Sequence, residues 1–166
     1  VNQSSEVQVK FHLGDYIKVV LTTLKPAYKN KNYTFEVECP ETLLIYSYPG
    51  AMSQIITNLI MNSLIHGFKD RASGVIRIRA EEKDDSVTIT YSDNGVGIPQ
   101  ENLPRIYDPF FTTNRAHGGS GLGMNIVYNL ITNKLNGSIQ CISTPDQGTT
   151  FIIQLPIEKG SETNGP

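Results

Sequence analysis

The predicted strands of this chain come in adjacent pairs with helices between the pairs, and this order constrains the fold more than any other feature. Alternating apolar and polar residues predict strands at Val75–Glu82 and Val87–Tyr91, separated by Lys83–Asp85. A connection this short favours an antiparallel hairpin over a crossover between parallel strands. The pattern therefore predicts an α+β sandwich of two layers, with a mixed, mostly antiparallel sheet and helices on one face.

Three helices and two further strand pairs complete the predicted order. The helices are predicted at Asp15–Tyr28, Gly50–His66 and Leu122–Leu135. The strand pairs are Thr34–Glu38 with Leu43–Tyr46, and Ser138–Ser143 with Thr149–Leu155. The helix with the clearest apolar stripe is Gly50–His66, so we expect it to pack firmly against the sheet.

Composition narrows the class of protein. A chain of 166 residues with 39% hydrophobic residues can bury the core of a single domain. Its formal net charge is −2 and no basic stripe occurs, which argues against nucleic-acid binding. It has no apolar run of membrane-spanning length and no signal peptide, so we expect a cytoplasmic domain without membrane contact. A parent protein anchored in a membrane would be compatible with this.

The cysteines and the composition of the two chain ends indicate the redox setting and the extent of the ordered domain. Cys39 and Cys141 stand apart without a CxxC pair, so we expect buried free thiols in a reducing setting. The polar composition of residues 1–6 and 159–166 predicts flexible ends. The ordered domain is therefore expected to span residues 7–158.

Two asparagines lie four residues apart on the strongest predicted helix. Asn58 and Asn62 therefore project from the same face of Gly50–His66. Magnesium keeps most of its water ligands and takes one or two protein oxygens, so the amide of Asn62 alone would suffice as the direct ligand. The alternative is a pair of solvated polar positions, although asparagine is a poor helix former.

A turn sequence, Asp93-Asn94-Gly95-Val96-Gly97, directly follows a predicted strand. Such a sequence is typical of an ordinary tight turn. In a nucleotide site, the Asp93 carboxylate would accept a hydrogen bond from the exocyclic amine of adenine and would repel the oxygen that guanine carries there. Gly95 and Gly97 would let the backbone approach the base. Ile98 would supply an apolar wall.

A long segment with little periodicity, from about residue 99 to residue 120, precedes the last helix. So long a connection inside a compact domain is typical of a functional lid or a disordered loop. Phe110 and Phe111 either pin this loop to the core or fold against a bound nucleotide. Arg115 follows them and is a candidate for contacting the terminal phosphate, with a solvated arginine as the alternative.

Glycines surround the start of the last helix in Gly118-Gly119-Ser120-Gly121-Leu122-Gly123. Glycines leave backbone N–H groups exposed and a helix N-terminus carries partial positive charge, so the stretch is predicted to bind an anion. The spacing is not GxGxxG, because Met124 occupies a needed position, and no Lys-Ser/Thr follows as in a Walker A loop. This stretch has two interpretations. One is a flexible hinge, and the other is a phosphate cradle that includes Gly119, Ser120, Gly121, Leu122 and Gly123.

Taken in this order, the four motifs resemble the N, G1, F and G2 boxes of the ATP-binding catalytic (HATPase) domain of two-component sensor histidine kinases. That domain belongs to the gyrase, Hsp90, histidine kinase and MutL superfamily, so the resemblance implies the Bergerat ATP-binding fold. It also implies binding of ATP and Mg²⁺, with transfer of the γ-phosphoryl group to a histidine on a separate dimerisation domain and a response regulator as an indirect partner. Two further positions follow from the resemblance, His66 beside the nucleotide and Thr149 on the adenine side.

Three positions depart from the family pattern. Hydrolytic members carry a glutamate where Asn58 stands, and an amide cannot act as a general base, so phosphotransfer is favoured over hydrolysis. Ile65 replaces a frequent lysine near the phosphates, and Asn114 replaces a frequently basic lid position. None of the three histidines has the surroundings of a phosphoacceptor. We therefore expect an acceptor domain outside this chain, and a monomer with little turnover by itself.

Two other functions are compatible with these residues. One is a non-catalytic module that senses nucleotide or binds a partner, which the departures at Ile65 and Asn114 would favour. The other is a protein serine kinase of the anti-sigma-factor type, which resembles this fold but generally carries a glutamate where Asn58 stands.

Overall fold

A computed structural model describes residues 6–111 and 123–157. Within these ranges the strands and α-helices, in chain order, are β1 Val9–His12, α1 Leu13–Tyr28, β2 Asn32–Glu38, β3 Leu44–Ser47, α2 Pro49–Asn62, β4 Ser73–Lys83, β5 Ser86–Asp93, α3 Gly123–Asn129, β6 Ser138–Ser143 and β7 Thr149–Pro156. The helices α2 and α3 each continue into a π-helical turn, Ser63–Gly67 and Leu130–Lys134, and a 3₁₀-helix spans Gln100–Arg105.

Five of these strands form one mixed sheet in the order β2–β4–β5–β7–β6. The neighbours β4–β5, β5–β7 and β7–β6 are antiparallel, and β2–β4 is parallel. The predicted hairpin of β4 and β5 and the predicted pair β6–β7 are therefore confirmed. The same holds for the α+β sandwich with a mixed, mostly antiparallel sheet.

The first predicted strand pair is wrong, because β2 and β3 do not pair with each other. Instead β3 pairs with β1, and β2 lies parallel to β4 across a connection that includes α2. The register places Phe35 opposite Ile76 and Val37 opposite Ile78. The alternating apolar residues of β2 thereby join the apolar face of the large sheet, which a hairpin with β3 would not achieve. The strand β1 went unpredicted because only four mostly exposed residues form it.

The core lies between the large sheet and the helices. Along the central strand β5, the buried positions alternate and end in a carboxylate, Asp93. The adjacent strands supply buried residues on the same face, and the helices cover them with a set that includes Ile17, Met52, Ile55, Leu59, Ile60, Val127 and Ile131. The one charged side chain of this face on β5 thus lies at the end of an apolar row, where the sheet meets the end of α2.

Several predicted features lie partly or wholly outside the described residues. Of the ends that were predicted to be flexible, residues 1–5 and 159–166 lie outside the described residues. Glu6 accepts a hydrogen bond from the backbone N–H of Gly50 and pairs with Lys134 at 3.0 Å. Of the predicted lid, residues 112–120 also lie outside. Among the described residues, no helix is long and apolar enough to cross a membrane.

The two cysteines are free thiols as predicted, but Cys39 and Cys141 are half-buried rather than buried. Burial raises the pKa of the Cys141 thiol to about 12, and the nearby Asp93 carboxylate adds to this effect. Cys141 lies on β6 opposite Phe151, on the helix-covered face of the sheet. The thiol therefore stays protonated at neutral pH and behaves as an apolar core group.

One face of the sheet is buried and the other is exposed, so the same substitution should change stability by different amounts on the two faces. Ile153 on β7 is 1% exposed, whereas Ile142 on β6 is 51% exposed. Replacing Ile153 by Ala should lower the free energy of unfolding by about 2–5 kcal/mol, because the change leaves a cavity in the core. The same replacement at Ile142 should cost less than about 1 kcal/mol. Urea denaturation followed by circular dichroism measures both variants, and equal losses would contradict this assignment.

Candidate functional site

Both asparagines of the first motif lie near the C-terminal end of α2. Helical spacing puts Asn58 and Asn62 one turn apart on one face, and both side chains are half-buried. The Nδ2 atom of Asn58 is itself buried and has no hydrogen-bond partner among the described residues. A buried donor without a partner is unfavourable by about 1–3 kcal/mol. The Asn58 amide is therefore suited to an acceptor atom that a bound molecule supplies.

The helix changes geometry directly after Asn62. Ser63–Gly67 forms a π-helical turn, which the backbone N–H of Phe68 closes by donating to the Ser63 carbonyl at 2.8 Å. Such turns are rare and occur frequently at functional sites. Its first residue, Ser63, is 1% exposed, and His66 is half-buried.

The carboxylate of Asp93 meets this turn at the end of β5. Its side chain is 8% exposed, and each of its oxygens accepts one hydrogen bond from the protein. Oδ2 accepts from Ser63 Oγ at 2.6 Å, and Oδ1 accepts from the backbone N–H of Gly95 at 3.0 Å. In the sheet, Asp93 lies opposite Thr149 of β7, so their side chains share a face. The fold thus brings together two residues that the sequence predicted separately.

The loop after β5 is held on both sides by backbone hydrogen bonds. The N–H of Val96 donates to the Gly67 carbonyl, and the Val96 carbonyl accepts from the N–H of Asp146, both at 2.7 Å. A Cβ atom at Gly95 would lie 2.0 Å from the Gly67 carbonyl oxygen. One at Gly97, where φ is +75°, would lie 2.2 Å from a carbonyl oxygen of the β6–β7 turn. Packing of the protein itself therefore requires glycine at both positions.

The buried hydroxyl of Ser143 connects the loop after β5 to the start of β7. Ser143 Oγ accepts a hydrogen bond from the backbone N–H of Ile98 at 2.8 Å and lies 2.9 Å from both the Gly148 carbonyl and Thr149 Oγ1. Ser143 is 5% exposed and Thr149 is 6% exposed. Ile98 and Thr149 are thus connected through Ser143, beside the strand end that carries Asp93.

The two phenylalanines of the third motif differ in exposure. Phe110 is 60% exposed and has a φ of +66°, so its ring does not pin the loop to the core. Phe111 is half-buried, and the Arg105 guanidinium lies 4.5 Å from the centre of its ring. The preceding segment is attached to α3, because Asn125 Nδ2 donates to the Tyr107 carbonyl at 3.0 Å.

Five predicted site residues lie outside the described residues, namely Arg115, Gly119, Ser120, Gly121 and Leu122. The last residue of their motif, Gly123, is the first residue of α3. A Cβ atom at Gly123 would have no described atom within 4 Å. Packing among the described residues therefore does not explain a glycine at this position.

The chain matches a known protein family over more than half of its length. The model of the histidine kinase-, DNA gyrase B- and HSP90-like ATPases matches residues 48–159, which is more than half of the chain. The chain belongs to this ATPase family. The resemblance seen in the four motifs is therefore confirmed.

Similar proteins assign the domain more closely. The chain is 32% identical to the autoinducer 2 sensor kinase/phosphatase LuxQ of Vibrio parahaemolyticus, over 94% of the chain but only 19% of LuxQ. The solved catalytic domain of the histidine kinase ThkA is 26% identical, with a TM-score of 0.76 over 90% of the chain and 95% of that domain. ThkA has also been solved in complex with the response regulator protein TrrA. The chain is thus an ATP-binding catalytic domain of the sensor histidine kinase type, and it spans about a fifth of the length of LuxQ.

Sequence reasoning missed three buried polar residues of this ATPase domain, Ser63, Tyr91 and Ser143. Signals for the first two were present. Ser63 falls four residues after Leu59, so it continues the buried stripe of α2. Tyr91 precedes Asp93 by two residues and therefore shares its face of the sheet. Polar groups at buried positions predict a hydrogen-bond partner.

The half-buried His66 predicts a specific pH dependence of stability. Burial lowers its pKa below the ordinary value of 6.5, and the nearby Lys69 lowers it further. The unfolded chain then takes up a proton more readily than the folded one. Stability is fully present above the unfolded pKa and falls as pH drops through that value towards the folded pKa. Between about pH 7.5 and pH 5.5, the wild type should lose more unfolding free energy than His66→Gln.

Urea denaturation at a series of pH values measures this difference. His12→Gln, which removes a histidine from an exposed position on β1, is the matched control. We expect it to keep the pH dependence of the wild type. A His66→Gln variant with that same pH dependence would contradict the assignment.

Proposed function

We propose that this chain binds Mg-ATP between the end of α2 and the ends of β5 and β7, and that it donates the γ-phosphoryl group to a histidine. The acceptor histidine would belong to a dimerisation domain of the same parent protein, and a response regulator would receive the phosphoryl group from it. The observation that carries the proposal is the carboxylate of Asp93, held by Ser63 and Gly95 at the end of an otherwise apolar row.

The adenine end of the site is proposed at Asp93. Each of its oxygens accepts one hydrogen bond from the protein, and a carboxylate oxygen has room for a second. The exocyclic amine of adenine would use that remaining capacity, and the carbonyl oxygen of guanine would be repelled. Thr149 and Ile98 would line the same side of the base, with Gly95 and Gly97 behind it. Their connection through Ser143 supports this arrangement.

The phosphate end is proposed at α2. Amide oxygens are hard ligands of the kind that Mg²⁺ accepts, so Asn62 fits as its protein ligand. The buried Nδ2 of Asn58 fits a phosphate oxygen or a bound water as its missing acceptor. When bound, Mg²⁺ neutralises negative charge on the phosphates. Further contacts with the nucleotide and its phosphates are assigned to His66, Phe110, Phe111, Arg115, Gly119, Ser120, Gly121, Leu122 and Gly123.

Catalysis in this proposal rests on positioning rather than on activation of water. The Asn58 amide cannot act as a general base. Phosphoryl transfer leaves little covalent chemistry to the protein, since alignment and charge neutralisation supply most of the rate. A histidine brings its own nucleophilic nitrogen. These residues therefore suit a kinase whose acceptor is supplied by another domain, and we expect the isolated chain to be a monomer.

Calorimetric titration tests the adenine contact. With Mg²⁺ present, the wild type should bind ATP and show no binding of GTP, and Asp93→Asn should lose at least about tenfold in ATP affinity. The amide replaces one acceptor oxygen by a donor, which would face the adenine amine or Ser63. Asp85→Asn, in the turn that precedes β5, is the matched control and should bind ATP like the wild type.

Each result decides a different part of the proposal. Omission of Mg²⁺ should weaken ATP binding by the wild type. A wild type that binds no ATP would refute the site as a whole. An Asp93→Asn variant with undiminished affinity would remove Asp93 from adenine recognition.

Phosphotransfer itself is tested with γ-labelled ATP, Mg²⁺ and the helical dimerisation domain of the parent protein. Label should appear on that domain and should be lost in acid, because a phosphorus–nitrogen bond is acid-labile. Asp93→Asn should abolish the transfer. Acid-stable label would instead indicate a serine kinase. ATP binding without any transfer would indicate a nucleotide-sensing module.

A further inference from the structure

Two buried hydroxyl groups lie behind the carboxylate of Asp93. Ser63 Oγ is 2.6 Å from Asp93 Oδ2 and 2.7 Å from the hydroxyl oxygen of Tyr91. The Tyr91 hydroxyl also lies 3.0 Å from the carbonyl oxygen of Leu59 on α2. Ser63 and Tyr91, which we call the hydroxyl pair, are each 1% exposed. Bulk water therefore does not compete for these contacts.

The number of protons sets the direction of these hydrogen bonds. Ser63 carries one hydroxyl proton and donates it to the Asp93 carboxylate, which is an acceptor only. Tyr91 also carries one proton, which it donates to the Leu59 carbonyl and shares with Ser63 Oγ, because that oxygen has no second proton for the contact. Burial raises the pKa of Tyr91 well above its ordinary value, so the tyrosine keeps the proton it donates. Ser63 is thus the member of the hydroxyl pair that donates to Asp93, and Tyr91 connects the pair to α2.

This arrangement fixes the plane of the carboxylate. Ser63 holds one oxygen, and the backbone N–H of Gly95 holds the other. Gly95 belongs to the loop beyond β5, whereas Ser63 belongs to the π-helical turn after α2. The two donors therefore approach from different elements, and rotation of the carboxylate would break at least one of the two bonds.

We infer that Ser63 is a positioning residue that sets specificity for the adenine amine by orienting Asp93. The inference rests on the proposed role of Asp93 in binding adenine. A carboxylate free to rotate would spread its acceptor oxygens over several directions. One held by Ser63 and Gly95 presents its remaining capacity in a single direction, before the nucleotide arrives.

A purely structural role for the hydroxyl pair makes a different prediction. The pair also connects α2 to β5, so its loss would lower stability whether or not Asp93 binds adenine. Such a loss would affect every nucleotide equally. A positioning role affects only ligands that carry the exocyclic amine, and comparing two ligands therefore separates the roles.

The experiment compares the affinities of ATP and of purine riboside 5′-triphosphate, which lacks only the amine of adenine. The wild type should prefer ATP. Ser63→Ala should weaken ATP binding by about tenfold, the size expected for one hydrogen bond to a charged acceptor. Its affinity for the analogue should change by less than about twofold, since that ligand makes no use of the oriented oxygen. Titration calorimetry in the presence of Mg²⁺ measures all four values.

Two variants of the same hydroxyl pair serve as controls. Tyr91→Phe removes a buried hydroxyl of the pair but leaves Ser63 its proton for Asp93. It should lower the melting temperature while keeping most of the preference for ATP. Ser63→Thr retains the hydroxyl and should keep the preference as well. Melting curves of every variant show that the comparison is made on folded protein.

The outcomes separate this inference from the proposed function. A wild type that prefers ATP, together with a Ser63→Ala variant that keeps this preference, would overturn the positioning role alone. Equal losses for both ligands in Ser63→Ala would also overturn it and leave a structural role. A wild type without any preference would refute the contact between Asp93 and the adenine amine, and the inference with it.

Discussion

The candidate site depends on one contact between secondary-structure elements, the hydrogen bond from Ser63 at the end of α2 to Asp93 at the end of β5. Burying a carboxylate is unfavourable unless hydrogen bonds replace its hydration. Ser63, the first residue of the π-helical turn, makes this possible, because it continues the buried stripe of α2 and places a hydroxyl in the core where the sheet ends. The same turn leaves the Gly67 carbonyl in contact with Val96, so the helix end also anchors the loop beyond Asp93.

Close backbone packing extends this anchoring to the β6–β7 turn. Val96 lies between Gly67 and Asp146, and the N–H of Ile98 is bound by Ser143. These bonds involve the backbone of the loop, so its path does not depend on the exposed side chains that surround it. The wall that carries Asp93 and Thr149 is therefore formed before any ligand binds. Preformed sites lose less conformational entropy on binding than sites that must first become ordered.

Structural features that depend on residues close together in the chain were predicted from the sequence, and features that depend on distant residues were not. Local periodicity predicted the helices and the hairpin of β4 and β5, because those elements depend on neighbours in the chain. The parallel pairing of β2 with β4 depends on residues about forty positions apart, as in Phe35 opposite Ile76, and no local pattern encodes it. Asp93 and Gly95 were predicted from their motif. Ser63 was missed because its partner Asp93 lies thirty positions away in the chain, although its spacing from Leu59 already placed it on the buried face of α2.

The buried amide of Asn58 bears on the kind of reaction that the site could support. Its Nδ2 is buried without a described partner, so this atom is available to donate a hydrogen bond to a ligand. A donor in that place binds negative charge but takes no proton from water. In the proposed function, the same position would favour binding of phosphate and would lack the base that hydrolysis requires. A domain built in this way would hold ATP intact until a nucleophile arrives from elsewhere, which suits an enzyme whose acceptor is carried by a separate domain.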